Sequence, residues 1–285
     1  MASRSASLLL ENVKFEHTVF ALPFAYLGMV LAAGGLPTWH QFVWITVAMA
    51  AARTLAMSMN RVIDRELDAR NPRTAARPIP SGRLSPRIVV LVAALSLVVF
   101  IFSAWQLGPL PLLLLPIAVL FLVGYHYTKR FTVLCHLILG ITDGGAPLGG
   151  WVAVSGTIEP AALWLLAVVT FWVGGFDLLY ACQDVEFDRA NGLHSVAANY
   201  GIAASIWGSR LAHLLVVLCL LPVGWLAGLG PAYWLGVALA AGLLLYEHGL
   251  VKPTDLSRLD QAFFNVNGYL SVGVFAFTLL AVLFR

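Results

Sequence analysis

Apolar stretches recur along the chain at about 17–36, 41–59, 88–106, 109–127, 133–154, 160–182, 203–227, 231–249 and 263–284. Each is long enough, or nearly so, to cross a hydrocarbon core of about 30 Å as an α-helix. The pattern predicts an all-α polytopic membrane protein of nine transmembrane helices. The first stretch follows a polar segment and lacks a small-residue cleavage site, so it reads as a retained span. No linker rich in Pro, Gly or Ser divides the chain, so residues 1–285 are expected to form a single domain.

Two polar interruptions break the apolar pattern. The longer, 61–87, reads RVIDRELDARNPRTAARPIPSGRLSPR. Pro72, Pro78 and Pro80 bar a continuous helix there. The segment is expected to extend helix 2 and then become a structured loop. The second, 183–201, reads QDVEFDRANGLHSVAANYG and repeats the plan: a helix end carrying acids, a polar loop with Gly192, then the next span.

Composition sharpens this. Hydrophobic residues make up 60% of the chain and charged residues 11%, far from a soluble globular composition. Of the 17 Lys and Arg, 16 fall at the N-terminus, in the connections after spans two, four, six and eight, or in the helix halves that adjoin them. Only Arg285 falls on the other side, and the loops around Gly35, Leu107, Gly156 and Gly230 carry none. The positive-inside rule then places the N-terminus and the basic loops in the cytoplasm. The net charge of +3 comes from these loops, without the long basic runs that nucleic-acid binding needs. Cys135, Cys182 and Cys219 form no metal spacing and are read as packing residues.

The candidate chemistry lies in the interruptions. One signature is Asn60-x-x-x-Asp64-x-x-x-Asp68, the other Asp184-x-x-x-Asp188. Residues four apart share a helical face, with Cβ atoms about 5–6 Å apart, while Glu66 points elsewhere. Asp64 and Asp184 lie 120 residues apart, as do Asp68 and Asp188. This suggests two weakly similar four-helix halves plus a ninth helix, with both acid pairs at the cytoplasmic mouth of a central cavity. Up to four like charges gathered there require cations. Oxygen clusters suit Mg²⁺ bound with substrate phosphates, so the acids point to a diphosphate held through metal.

NRVIDRELDARNPRTAARPIPSGRLS and YACQDVEFDRANGLHSVAANYG resemble the two aspartate-rich regions of the UbiA superfamily of intramembrane prenyltransferases. The resemblance covers nearly the whole chain. It implies Mg²⁺-dependent transfer of an isoprenoid from a polyprenyl diphosphate to a small aromatic acceptor in a bacterial inner membrane; an obligate protein partner is not indicated. It implies that Asn60, Asp64, Asp68, Asp184 and Asp188 hold the metal–diphosphate. Lys129, in YHYTKRF, resembles the family's diphosphate-binding lysine, with Tyr125 one turn earlier; Arg130 reads equally well as an interface anchor. Arg73 and Arg77 offer planar donor forks to phosphate, whereas Arg70, Arg83 and Arg87 read at least as well as solvated charges.

Arg53 sits inside helix 2, where a cation must face a cavity or a partner. It resembles the arginine that pairs with the carboxylate of 4-hydroxybenzoate in family members; the alternative is a salt bridge to Asp143 or Asp177. Asp177 resembles a family aspartate at the same offset from Asp184. Asp143 is left between receiving a proton, supporting Arg53 and orienting the acceptor hydroxyl. His194 reads as a loop residue, and Met57 and Met59 as packing. The acceptor favoured is 4-hydroxybenzoate, then a dihydroxynaphthoate. A transporter using the intramembrane acids is the rival of another class. A CDP-alcohol phosphotransferase is disfavoured, since ITDGGAP lacks the Ala-Arg of its signature.

Overall fold

The computed structural model describes residues 8–9, 11–12, 15–259 and 261–285. Its long helices are α1 (Phe15–Ala33), α2 (Trp39–Ile63), α4 (Pro86–Leu107), α5 (Pro109–Thr128), α6 (Cys135–Ser155), α7 (Pro160–Tyr180), α10 (Ile202–Leu226), α11 (Pro231–Leu250) and α12 (Asn267–Leu283). Three short helices lie between them: α3 (Arg65–Arg70), α8 (Val185–Ala190) and α9 (Val196–Tyr200). A 3₁₀ turn, Ala181–Asp184, joins α7 to α8, and a π turn, Gln261–Val266, leads into α12. No strand occurs among the described residues.

The helix starts follow local chemistry. Pro86, Pro109, Pro160 and Pro231 open α4, α5, α7 and α11, where the missing N–H costs nothing and φ is preset. Thr38 and Gln41 form a reciprocal capping box at the start of α2.

Six of these helices are long and apolar enough to cross a membrane: α2, α4, α5, α6, α10, and α7 continued to Ala190. Leu22–Ala33 and α12 are shorter apolar helices. α11, which carries Glu247 and His248 near its end, is not among the six.

α6 is central. It packs on α1, α5 and α7; α7 packs on α10, α11 on α12, and α12 back on α1. α2, α4 and α5 pack on one another as a second group. The main core draws Leu27, Trp151, Leu165, Trp172, Leu220 and Tyr233 from five helices. By contrast, α4 and α5 turn Leu91, Leu95, Val98, Leu113 and Leu120 outward. Such a continuous apolar exterior suits contact with lipid.

Glycine sets how closely α6 approaches its neighbours. A Cβ on Gly140 would collide with the Thr170 carbonyl of α7, and one on Gly150 with the Ala25 carbonyl of α1. Small residues at such contacts let membrane helices pack backbone to backbone. This close packing holds α6 and α7 together along one side of a cavity that α2 also lines.

Candidate active site

The cavity encloses about 760 Å³. α2 lines it with Met49, Arg53, Ala56, Asn60 and Asp64, and α7 with Leu166, Val169, Val173, Asp177 and Tyr180. Both sets follow the three-and-four spacing of a single helical face. Charged groups gather at the mouth of the cavity, and its depth is mostly apolar apart from Arg53, Tyr125 and Asp143.

Neither acidic signature lies on an unbroken helix. α2 ends at Asp64, with φ −95° and ψ 9°. α7 gives way to the 3₁₀ turn ending at Asp184, with φ −105° and ψ 10°. Both aspartates occupy the sparsely populated bridge region, where many active-site residues sit. Backbone bonds nevertheless carry across the first break, from Asp64 N–H to Asn60 O and from Asp68 N–H to Asp64 O. The expectation of one continuous face is thus corrected to two helix segments joined by a bend at the acid.

The two distant stretches meet. Arg73, from the first interruption, forks onto Asp184, with Nε 3.0 Å from Oδ1 and Nη2 2.5 Å from Oδ2. Asn71 adds its amide to Asp184 Oδ1 at 3.0 Å, and Arg73 also donates to the Tyr180 hydroxyl. Arg77 reaches both oxygens of Asp68 at 2.7 and 2.8 Å. Arg130 donates to Asp64 at 3.0 Å, and Lys129 lies 2.9 Å from Asp188 Oδ2. Ser195 donates to the same oxygen at 3.0 Å.

Each of the four aspartates is therefore paired with one cation from the protein, so Arg73, Arg77, Lys129 and Arg130 supply cations that the gathered acids require. Glu66 pairs with exposed Arg65, away from the cavity. Arg70, Arg83 and Arg87 are exposed, and Arg83 pairs with Glu11.

The charge states follow from these contacts. Burial works against the Lys129 charge, but Asp188, with Asp184 and Asp177 behind it, outweighs burial and raises the ammonium pKa. Arg73 is raised in the same way by Asp184 and Tyr180 against burial. Burial lifts the Asp64 carboxyl above the usual aspartate range despite Arg130.

Deeper in the cavity, Arg53, Tyr125 and Asp143 line one space. Arg53 makes no salt bridge among the described residues, and its Nε is buried without a partner. The expected alternative, an Arg53 pair with Asp143 or Asp177, is not formed. Asp177 is taken instead by His136, at 2.6 Å from Nδ1. Met57, read as packing, also lines the cavity, and His194 lies in the loop between α8 and α9.

Sequence reasoning missed several polar partners. His126 touches the Asn60 amide at 3.1 Å. His136 bridges Asp177 and the backbone N–H of Val196. Asn71 and Ser195 each hold a site carboxylate. None stands at the spacing of the acidic signatures, so only the fold brings them in.

The oxygen donors at the mouth suit a hard divalent cation. Asp188 Oδ1 is buried with no hydrogen-bond partner, an orphan acceptor that a cation would satisfy. Among the described residues no three His, Cys, Asp or Glu side chains converge on a single point. A cation here would take one or two carboxylates and complete its shell from an anionic ligand, the habit of Mg²⁺ with phosphates.

The chain is a bundle of apolar helices around one cavity that carries paired acids and cations on its rim. Residues 21–269 match the UbiA prenyltransferase family, and the chain belongs to that family. It is 32% identical over 260 residues to the 4-hydroxybenzoate octaprenyltransferase of Herminiimonas arsenicoxydans, covering 90% of this chain and 89% of that protein. With the enzyme of the same name from Aromatoleum aromaticum it shares 33% identity over 258 residues, covering 88% and 84%.

Its fold superposes on a UbiA homologue from Aeropyrum pernix with a TM-score of 0.85 at 31% identity, covering 93% of this chain and 98% of that one. It also superposes on an Archaeoglobus fulgidus homologue bound to DMAPP and Mg²⁺, with a TM-score of 0.77 at 16% identity, covering 96% and 98%. The chain is thus a prenyltransferase, and the transporter reading falls away.

Proposed function

We propose that this enzyme transfers a polyprenyl chain from a polyprenyl diphosphate to 4-hydroxybenzoate, with Mg²⁺, for quinone biosynthesis. One observation carries the reading: both acidic signatures and Lys129 line the mouth of a single cavity, and Arg73 ties one signature's loop to the other's carboxylate. In this reading Asn60, Asp64, Asp68, Asp184 and Asp188 hold the metal–diphosphate. Arg73, Arg77, Lys129 and Arg130 give up their carboxylates for phosphate oxygens. Two further points support it: the unpaired Arg53 suits the acceptor carboxylate, and the apolar depth suits an isoprenoid.

Bound Mg²⁺ supplies Lewis-acid stabilisation of the departing diphosphate. The protein cations act in the same direction, on charge that grows as the C–O bond breaks. The bond's electron pair leaves with the diphosphate. The acceptor ring carbon then bonds to the allylic carbon, and the ring proton is lost. Asp143 and Asp177 both line the cavity as candidate acceptors for it. Water must be kept from the allylic cation, and the apolar walls of α4 and α5 serve that end. Tyr125 closes the wall beside Arg53.

The same reading includes nine membrane crossings in a single domain, with the mouth and the N-terminus in the cytoplasm of a bacterial inner membrane. The internal repeat has support in the element bounds, since α3 and α8 are displaced by 120 residues, the same interval as the aspartates. Substituting Asp64→Ala or Asp184→Ala in the purified enzyme is expected to reduce transfer at least about 10²-fold while leaving elution as a folded species unchanged. Full turnover by both variants with added Mg²⁺ refutes the assignment.

A further inference from the structure

One part of the cavity is bounded by an aromatic wall from α1 and α7. The Trp172 ring centroid lies 4.4 Å from that of Phe24 and 5.2 Å from that of Phe176. All three line the cavity. From the wall runs a polar chain that the mechanism does not use, beginning at Asn267, which also lines the cavity. Trp172 Nε1 donates to Asn267 Oδ1 at 2.6 Å. The Asn267 amide donates in turn to Glu247 Oε1 and to the Ala262 carbonyl, each at 3.3 Å. Glu247 is fully buried and faces His213 at 3.5 Å.

The direction of this chain is fixed by chemistry. An indole N–H only donates, so the amide oxygen must turn to Trp172 and the amide nitrogen to Glu247. With its N–H used on Asn267, the indole offers the cavity only carbon. Along the same face of α7, Leu166, Val169 and Val173 add none but aliphatic groups. Such a surface suits a hydrocarbon chain better than an acceptor ring with polar substituents.

Trp172 lies twelve residues before Asp184, about 18 Å along a helix. A four-bond isoprene unit spans about 4–5 Å, scaling from the reach of an extended backbone. A donor anchored at the mouth brings its third and fourth units to the wall.

We propose that the Glu247–Asn267–Trp172 chain fixes an aromatic bed for the third and fourth isoprene units and so sets the enzyme's preference for longer donors. Trp172 touches the substrate; Asn267 and Glu247 are positioning residues. The inference rests on the prenyl diphosphate reading above.

The test measures Mg²⁺-dependent binding of two-unit and four-unit prenyl diphosphates to the purified chain and its variants. The wild type is expected to favour the four-unit donor. Trp172→Phe, which keeps a ring and removes the N–H, and Asn267→Leu are expected to shrink that preference about fivefold, the factor carried by one ordinary hydrogen bond. Two-unit binding should hold within about twofold. Glu247→Gln retains an acceptor for Asn267 and is expected to keep the preference.

An unchanged preference in Trp172→Phe overturns the proposal, and that variant suffices should Asn267→Leu fail to fold. An equal loss of both donors also overturns it, since that marks a general structural role. Wild-type protein that binds neither donor overturns the functional reading itself.

Discussion

Asp188 and Arg53 show two ways of keeping a charge inside an apolar bundle. Asp188 is fully buried, with one oxygen held by Lys129 and Ser195 and the other unsatisfied. Replacing Lys129 by Met leaves that carboxylate with Ser195 alone. The variant should lose about 1–3 kcal/mol of stability, the cost of an unsatisfied buried group, read by unfolding in mixed micelles; an unchanged transition contradicts the pairing. Arg53 instead faces the cavity with no ion partner among the described residues. If it grips the acceptor carboxylate, Arg53→Ala should raise KM for 4-hydroxybenzoate about 10–100-fold, the range of a charge-assisted bond. KM for the diphosphate should stay put, as expected for loss of uniform binding to one substrate. An acceptor KM that does not move removes Arg53 from the site. Arg53 was legible as an anomaly, a cation inside an apolar stretch. His136 was not, because a lone histidine beside a cysteine at a helix start carries no spacing; its partner Asp177 lies 41 residues away.

At the scale of elements, the apolar runs announced the helices, since each lies between Gly or Pro boundaries or polar loops. Pro86, Pro109, Pro160 and Pro231 mark starts that the sequence displays openly. The bends at Asp64 and Asp184 were hidden, because i, i+4 spacing looks the same on a straight helix and on one that breaks at the acid. The role of α6 was hidden too. Its glycines read as weak helix formers, yet Gly140 and Gly150 are where α7 and α1 press closest. Gly140→Val should therefore separate α6 from α7 and cost more than the roughly 1–3 kcal/mol of ordinary overpacking, because the obstacle is a backbone carbonyl that no rotamer change can clear. Thermal unfolding in detergent measures this; a transition within error of the wild type contradicts the close contact.

Across the whole molecule, two stretches 120 residues apart converge on one cavity mouth. The acids there are already balanced by Arg73, Arg77, Lys129 and Arg130. That balance allows four carboxylates, three of them buried, to share one rim; in the proposed reading the cations would turn to a diphosphate when a divalent ion is bound by the acids. The most direct measurement is calorimetric titration of inorganic pyrophosphate into the purified enzyme, with Mg²⁺ and with chelator, for the wild type, Asp64→Ala and Asp184→Ala. The account predicts Mg²⁺-dependent binding by the wild type, lost on chelation and weakened at least about tenfold in each variant. Wild-type affinity in either variant, or binding indifferent to Mg²⁺, contradicts it.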